Sequence, residues 1–184
     1  MITSRCERSV SDRLSTDARR RSSCVATDES AILAGMDIHA VLDADCAADT
    51  LFRFVDDLAR YPSWVDLVHR AEPLPPADDG SPQWDVELRA RVGPFARSKR
   101  LRMRRTVHDR ALGRVVFERA EVDGRRHSPW VLSADLGEHD GRTRLEMHLH
   151  YGGGLWTGGV LEKVLAEQIS AGRERLVQLA TAAG

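Results

Sequence analysis

The stretch RVVFERAEVDGRRHSPWVLSADLGEHDGRTRLEMHLHY, from Arg114 to Tyr151, decides the fold. It holds three alternating segments joined at Asp123-Gly124 and Asp140-Gly141, dipeptides that favour two-residue hairpin turns because both positions accept positive φ. With Asp123-Gly124 as such a turn, Phe117 faces Trp130, Val115 faces Leu132 and Arg119 faces Ser128. With Asp140-Gly141 likewise, Leu136 faces Leu145, Ala134 faces Met147, Leu132 faces Leu149 and Trp130 faces Tyr151. Two separately placed turns thus put the same apolar rows on one face. A slip of one residue would invert every side chain, so the agreement predicts an antiparallel meander with one apolar face.

Two more segments precede it. Trp84, Val86, Leu88, Ala90 and Val92 alternate with Asp85, Glu87, Arg89 and Arg91 before Gly93-Pro94 breaks the run. From Arg100 to His108, Leu101, Met103, Arg105 and Val107 form one row and Arg100, Arg102 and Arg104 the other. Upstream, Ile38 to Leu42 reads as a short strand. Asp45 is placed to cap a helix over Ala47–Phe54, and Asp56-Asp57 to start a second turn that ends before Tyr61-Pro62-Ser63-Trp64. Val65 to Leu74 reads as extended.

After Gly152-Gly153-Gly154, a long helix closes the chain. At 100° per residue from Val160, Leu161, Val164, Leu165, Gln168, Gly172, Leu176 and Leu179 fall within an arc of about 120°. Lys163, Glu167, Glu174 and Gln178 lie opposite. Such a helix needs a broad apolar surface, and the meander supplies it. The expectation is an α+β fold: a curved antiparallel sheet of six to seven strands wrapped around a long C-terminal helix, with two short helices after the first strand.

The 184 residues suffice for one domain with a real core. A formal net charge of -1 gives no field favouring nucleic acid or an anionic membrane. Cys6, Cys24 and Cys46 are far apart and form no CxxC, which predicts reduced thiols in a cytoplasmic protein and no structural zinc. The longest apolar run, Ala31 to Met36, is far too short for a membrane span. Residues 1–35 are rich in Arg, Asp, Ser and Thr and contain no aromatic residue. They are expected to form a disordered tail ahead of a ligand-binding domain over 37–183, with Met36 as a candidate natural start.

Several of these residues carry a family resemblance. Phe54-Val55-x-x-Leu58-Ala59-x-Tyr61-Pro62-x-Trp64, Phe117-Glu118-Arg119, Asp123-Gly124-Arg125-x-His127-x-x-Trp130, Tyr151-Gly152-Gly153 and the closing helix resemble the START-like superfamily. Within it, they are most similar to the polyketide cyclase/dehydrase and lipid-transport grouping, over about Asp37 to Ala183. The resemblance implies a helix-grip fold and a pocket for hydrophobic small molecules between sheet and helix. Some members cyclise polyketide chains and others carry or sense a ligand, so it implies no single mechanism.

On this reading Trp84, Met103, Phe117, Trp130, Met147 and Tyr151 on the apolar face, with Gln168 from the helix, are candidate ligand contacts. Each is equally at home in a plain core. Gly172 either admits a close neighbour or leaves room for ligand. Arg105, Arg119, Glu121 and Arg126 put charge on the same face, which requires pairing or solvent. Paired, they are structural; unpaired, the guanidinium groups suit an anionic group on an apolar ligand. An enzyme of the cyclase kind needs a proton acceptor beside an oxyanion stabiliser, for which Glu121 with Arg119 or Arg105 are the candidates. His127 is assigned to the outer face. His148 and His150 have metal-clip spacing but read as surface histidines, and neither a metal nor a cofactor is expected. Gly154 to Gly159 has GxxxxG spacing but lacks the Lys-Ser/Thr of a phosphate loop. The basic run Arg97 to Arg105 has acidic cross-strand neighbours, which favours ion pairs over nucleic acid. The expected function is binding or carriage of a hydrophobic, oxygenated small molecule. The alternatives are an aromatase/cyclase-like or dehydratase-like enzyme and a protein-interaction module.

Overall fold

The computed structural model describes residues 35–92, 95–153 and 160–183, with the side chains of all of these except 90–92, 95–97 and 160–170. Of the expected tail, 1–35, all but Gly35 lies outside the described residues. Among those described, the order is β1 (Met36–Ala44), α1 (Ala48–Val55), a 3-10 helix (Leu58–Ser63), β2 (Val68–Leu74), β3 (Gln83–Val92), β4 (Phe95–Asp109), β5 (Arg114–Arg119), β6 (Trp130–His139), β7 (Arg142–Tyr151) and α2 (Val160–Ala182). The strands form one antiparallel sheet in the order β1-β7-β6-β5-β4-β3-β2. The two short helices join its opposite edges, and α2 packs against α1, β3 and β1, which makes the helix-grip arrangement.

The Asp140-Gly141 reading holds along the whole β6–β7 ladder, including Leu136↔Leu145, Leu132↔Leu149 and Trp130↔Tyr151. Both turn residues take positive φ, 51° and 75°, as the primed hairpin turn requires. The Asp123-Gly124 reading needs correction. Phe117 pairs with Leu132 and Val115 with Ala134, two positions from the expected partners. Residues 120–129 make a long connection in place of a tight turn. An even offset leaves the faces unchanged, so Val115 and Phe117 still point inward and are fully buried. Arg126, expected on the inner face, and His127, expected on the outer one, therefore sit in this connection and not on a strand; the His127 imidazole contacts Asp123 at 2.8 Å.

A bulge in β4 also departs from expectation. Arg105 pairs with Phe117 but Val107 with Val116, which leaves Thr106 as the extra residue. Val107 is turned to the surface, 38% exposed, and His108 takes the row of Val115, with its ring 5.6 Å from that of Phe52. Strands β3 and β4 match the reading closely, pairing from Gln83↔Arg104 to Val92↔Phe95, but β4 starts five residues earlier than the alternation suggests.

At the helical corner, Asp45 is not the cap. Its carboxylate takes two hydrogen bonds from Arg142, at 2.7 and 3.0 Å, and Ala47 occupies the N-cap position without a side-chain bond. Asp57 is a cap, accepting from the Ala59 amide at 2.9 Å, and the 3-10 helix it starts runs through Tyr61 and Pro62 to Ser63. Tyr61 is buried there and donates to the Val55 carbonyl at 3.0 Å. Burial, with Asp56 and Asp57 adding to it, pushes its phenol well above the usual range. On α2, where side chains are described, Gly172 and Leu176 of the expected arc are buried and Leu179 is half-buried, with Ala180 buried beside it, while Glu174 and Gln178 are exposed.

The outer face is laced with ion pairs. Arg100 reaches Glu87 at 3.5 Å, Arg104 reaches Asp79 at 3.2 Å, and Arg114 reaches Asp135 at 2.8 Å. Glu87, flanked by Arg89 and Arg100, is held below the usual carboxylate range. In the basic run of β4, Arg100 is thus partnered across strands by Glu87, and Arg104 by Asp79 of the loop before β3.

Candidate functional site

Between the concave face and the helices lies a cavity of about 140 Å³. Its walls follow from the alternation of each strand. Ile38, Ala40 and Leu42 come from β1, Leu145, Met147 and Leu149 from β7, and Trp130 and Leu132 from β6. Leu101 and Met103 of β4 and Val86 and Leu88 of β3 continue the wall. Leu58, Tyr61, Trp64 and Val65 cover one side, and Gly172, Arg173 and Leu176 of α2 another. Arg173 brings a charge to an otherwise apolar lining. A cavity of this size and composition is in the range that stays dry and takes up benzene-sized apolar molecules.

Gly172 has a specific part in this. A Cβ at that position would stand 2.9 Å from the Trp64 carbonyl oxygen. The missing side chain therefore lets the helix approach the turn after the 3-10 helix, and the same residue borders the cavity.

Met103, Trp130 and Met147 border the cavity. Trp84 and Phe117 pack in the core, ring edge to ring face at 5.5 Å, and the Trp84 indole donates to Asp57 at 3.0 Å. Arg105 turns away: its guanidinium donates to the Asp56 carbonyl at 2.9 Å and borders an open groove beside Arg53 and Arg60. Arg119 and Glu121 meet each other, Nε to Oε1 at 3.0 Å, with side chains 10% and 21% exposed. Glu121 also accepts the Arg102 amide at 3.2 Å. The side chain of Gln168 lies outside the described residues.

Tyr151 is buried against Trp130, ring centres 4.9 Å apart, and here the structure adds a residue that the strand reading leaves out. Lys99 pairs with Leu88 on the inner row of β4, and its ammonium donates to the Tyr151 hydroxyl at 3.2 Å. The same nitrogen lies 4.5 Å from the centre of the Tyr151 ring and 5.4 Å from that of Trp130. Counting back by twos from Met103 and Leu101 reaches Lys99. The signal is in the sequence, but a strand begun at Arg100 groups Lys99 with the arginines.

His148 and His150 both contact Asp37, at 2.8 and 2.9 Å, and His39 stacks on His148 with ring centres 4.1 Å apart. These contacts hold the Asp37 carboxyl below its usual range. Among the described residues no group of three or more His, Cys, Asp and Glu has metal-binding geometry.

Comparison with known proteins gives one family and a consistent fold. A family model described as polyketide cyclase / dehydrase and lipid transport matches residues 45–177. Comparison with curated proteins yields no significant match. Among solved structures, the chain is similar to TTHA0849 of Thermus thermophilus, with 15% identity, a TM-score of 0.62, and coverage of 81% of this chain and 99% of that one. It is similar to a START superfamily protein of Mycobacterium smegmatis, with 15% identity, a TM-score of 0.60, and coverage of 80% and 99%. It is also similar to the Zhui aromatase/cyclase of Streptomyces sp. R1128, with 15% identity, a TM-score of 0.57, and coverage of 80% and 94%. At these identities the likeness concerns the fold.

Proposed function

The chain belongs to the polyketide cyclase/dehydrase and lipid-transport family, and from that premise we propose that it binds and carries a hydrophobic, oxygenated small molecule between its sheet and C-terminal helix. The observation that carries this reading is the cavity. A fold that buried its inner face only for stability would gain by filling about 140 Å³, because a void forfeits dispersion contacts. Keeping that space beside Trp130, Met103 and Met147 suits a guest with an apolar body. No helix among the described residues is long and apolar enough to cross a membrane, so the proposal involves capture of a ligand rather than insertion.

A second reading uses the same fold as a catalyst, with Glu121 as proton acceptor and Arg119 as oxyanion partner. It is favoured by their mutual contact at 3.0 Å. Neither Glu121 nor Arg119 borders the cavity, which is why binding is the preferred reading.

The test is solvent extraction of the natively purified protein followed by mass spectrometry. The expected result is an apolar compound in near-stoichiometric amount, reduced in Met147→Trp, where the indole would occupy the cavity. Protein that is empty, and that gains no thermal stability from any apolar probe, overturns the proposal.

A further inference from the structure

The inner face carries one amine whose position the apolar pocket does not explain. Lys99 is half-buried at the end of the row Lys99, Leu101, Met103, and both Leu101 and Met103 border the cavity. Its partners are neutral: the Tyr151 hydroxyl at 3.2 Å and the faces of two aromatic rings. Among the described residues no carboxylate lies within ion-pairing distance of it. Cation–π contact offsets only part of the cost of drawing an ammonium away from water. Another inward charge, Arg119, is paired with a carboxylate, Glu121, whereas among the described residues the partners of Lys99 are neutral.

The link to the cavity is Trp130. Its ring borders the cavity and also lies beneath the ammonium, 5.4 Å from ring centre to nitrogen. Tyr151 accepts from Lys99, so its own O–H proton is free to be donated, and the ammonium keeps further N–H donors. Gly153 is needed to make room for this hydroxyl, since a Cβ there would collide with it. Neither donor borders the cavity itself; both touch Trp130, which does.

We infer that Lys99 and Tyr151 form the head-group site of the cavity, and that the ligand is an apolar molecule ending in an anionic oxygen group such as a carboxylate or enolate. This rests on the binding reading above and narrows it. The ligand's body occupies the cavity beside Trp130, and its charged end passes that ring to meet the ammonium. A charge-assisted hydrogen bond of this kind is roughly twice as strong as a neutral one, and it selects acids over neutral analogues with the same body.

Two benzene-sized probes sharing one aromatic body separate the two ideas, their binding read by titration calorimetry. Benzenesulfonate carries an anion and benzene does not. With the wild-type protein, the sulfonate is expected to bind at least tenfold more tightly than the neutral probe. Lys99→Met removes most of that preference and leaves the neutral probe within twofold; Lys99→Arg retains it. Tyr151→Phe, which keeps ring and charge, weakens the sulfonate severalfold. If the neutral probe binds and the sulfonate gains nothing over it in the wild type, the head-group site is overturned and the cavity reading stands; this comparison needs no variant to fold. If Lys99→Met folds, as judged by its circular dichroism melt, and keeps the preference, the inference is likewise overturned. Failure of both probes to bind overturns the inference and the binding reading together.

Discussion

The carbonyl oxygen of Trp64 lies 2.9 Å from the point where a Cβ on Gly172 would stand. A glycine in the middle of a helix ordinarily costs about 1 kcal/mol relative to alanine. Here the space is already taken by backbone, which cannot rotate aside as a side chain can. Gly172→Ala is therefore expected to destabilise the protein, with overpacking of about 1–3 kcal/mol outweighing the helical gain. A thermal melt decides it: a raised melting temperature would mean that the helix shifts without cost.

Asp57 serves two partners at once, the Ala59 amide at 2.9 Å and the Trp84 indole at 3.0 Å. Asp57→Ala removes a cap, at about 0.5–2 kcal/mol, and leaves a buried N–H unpaired, at about 1–3 kcal/mol. Denaturant unfolding should show a loss near the upper end of those ranges. Asp57→Asn keeps an acceptor oxygen and should lose less than half as much.

The Asp43 carboxylate takes two hydrogen bonds from Arg144, at 2.7 and 2.9 Å, and is held below its usual range by them. A depressed carboxyl contributes stability that is complete above its unfolded value of about 3.9 and is lost as the pH falls through the folded one. Asp43→Asn should accordingly be less stable than wild type at pH 7. The difference should close as the pH drops below about 4. Melts across pH 2–7 test this, and a gap that persists at pH 2 would contradict it.

Glu121→Gln separates structure from chemistry at the Arg119 pair. The amide still accepts from Arg102, but Arg119 loses its counter-charge at a site where it is 10% exposed. A destabilisation of about 1–3 kcal/mol is expected, with apolar probe binding unchanged. Abolition of a measured turnover in a variant that still folds would instead favour the catalytic reading.

Cys46 is half-buried beside Asp45, and burial, with that carboxylate adding to it, raises its thiol above the usual range. Little thiolate is then present at pH 8. Its reaction with a disulfide reagent should be slower than that of free glutathione, and should speed up when the protein is unfolded. Masking Cys6 and Cys24 by substitution isolates the signal.

What the sequence displays most clearly is the direction in which side chains face, and least clearly their partners. Asp140-Gly141 determines a ladder because the turn residues are the whole loop. Asp123-Gly124 looks the same but sits inside residues 120–129, where Ala120 still bonds back to Arg102 and Gly152 bonds to Pro129. A dipeptide reports a local bend, and loop length depends on what the flanking residues bond to. The extra residue at Thr106 leaves no trace in the alternation, which points Val107 inward where the structure places His108. Site residues follow the same physics. Met103, Trp130 and Met147 border the cavity because each stands on the inner row of its strand, in line with Leu101, Leu132 and Leu149. Trp84, also on the inner face, is drawn to Asp57, and Arg105 to Asp56, by corner contacts that no strand pattern encodes.

The strand order β1-β7-β6-β5-β4-β3-β2 has a consequence for the birth of the molecule. Among the described residues, the sole ladder partner of β1 is β7, and the contact between Asp37 and His150 joins residues 113 apart. At about 5–20 residues per second, the ribosome delivers that partner roughly 6–23 s after β1 itself. During this interval a strand with bare amides and carbonyls waits in the cell, and its polar row of Asp37, His39 and Asp43 is what discourages it from pairing with a stranger.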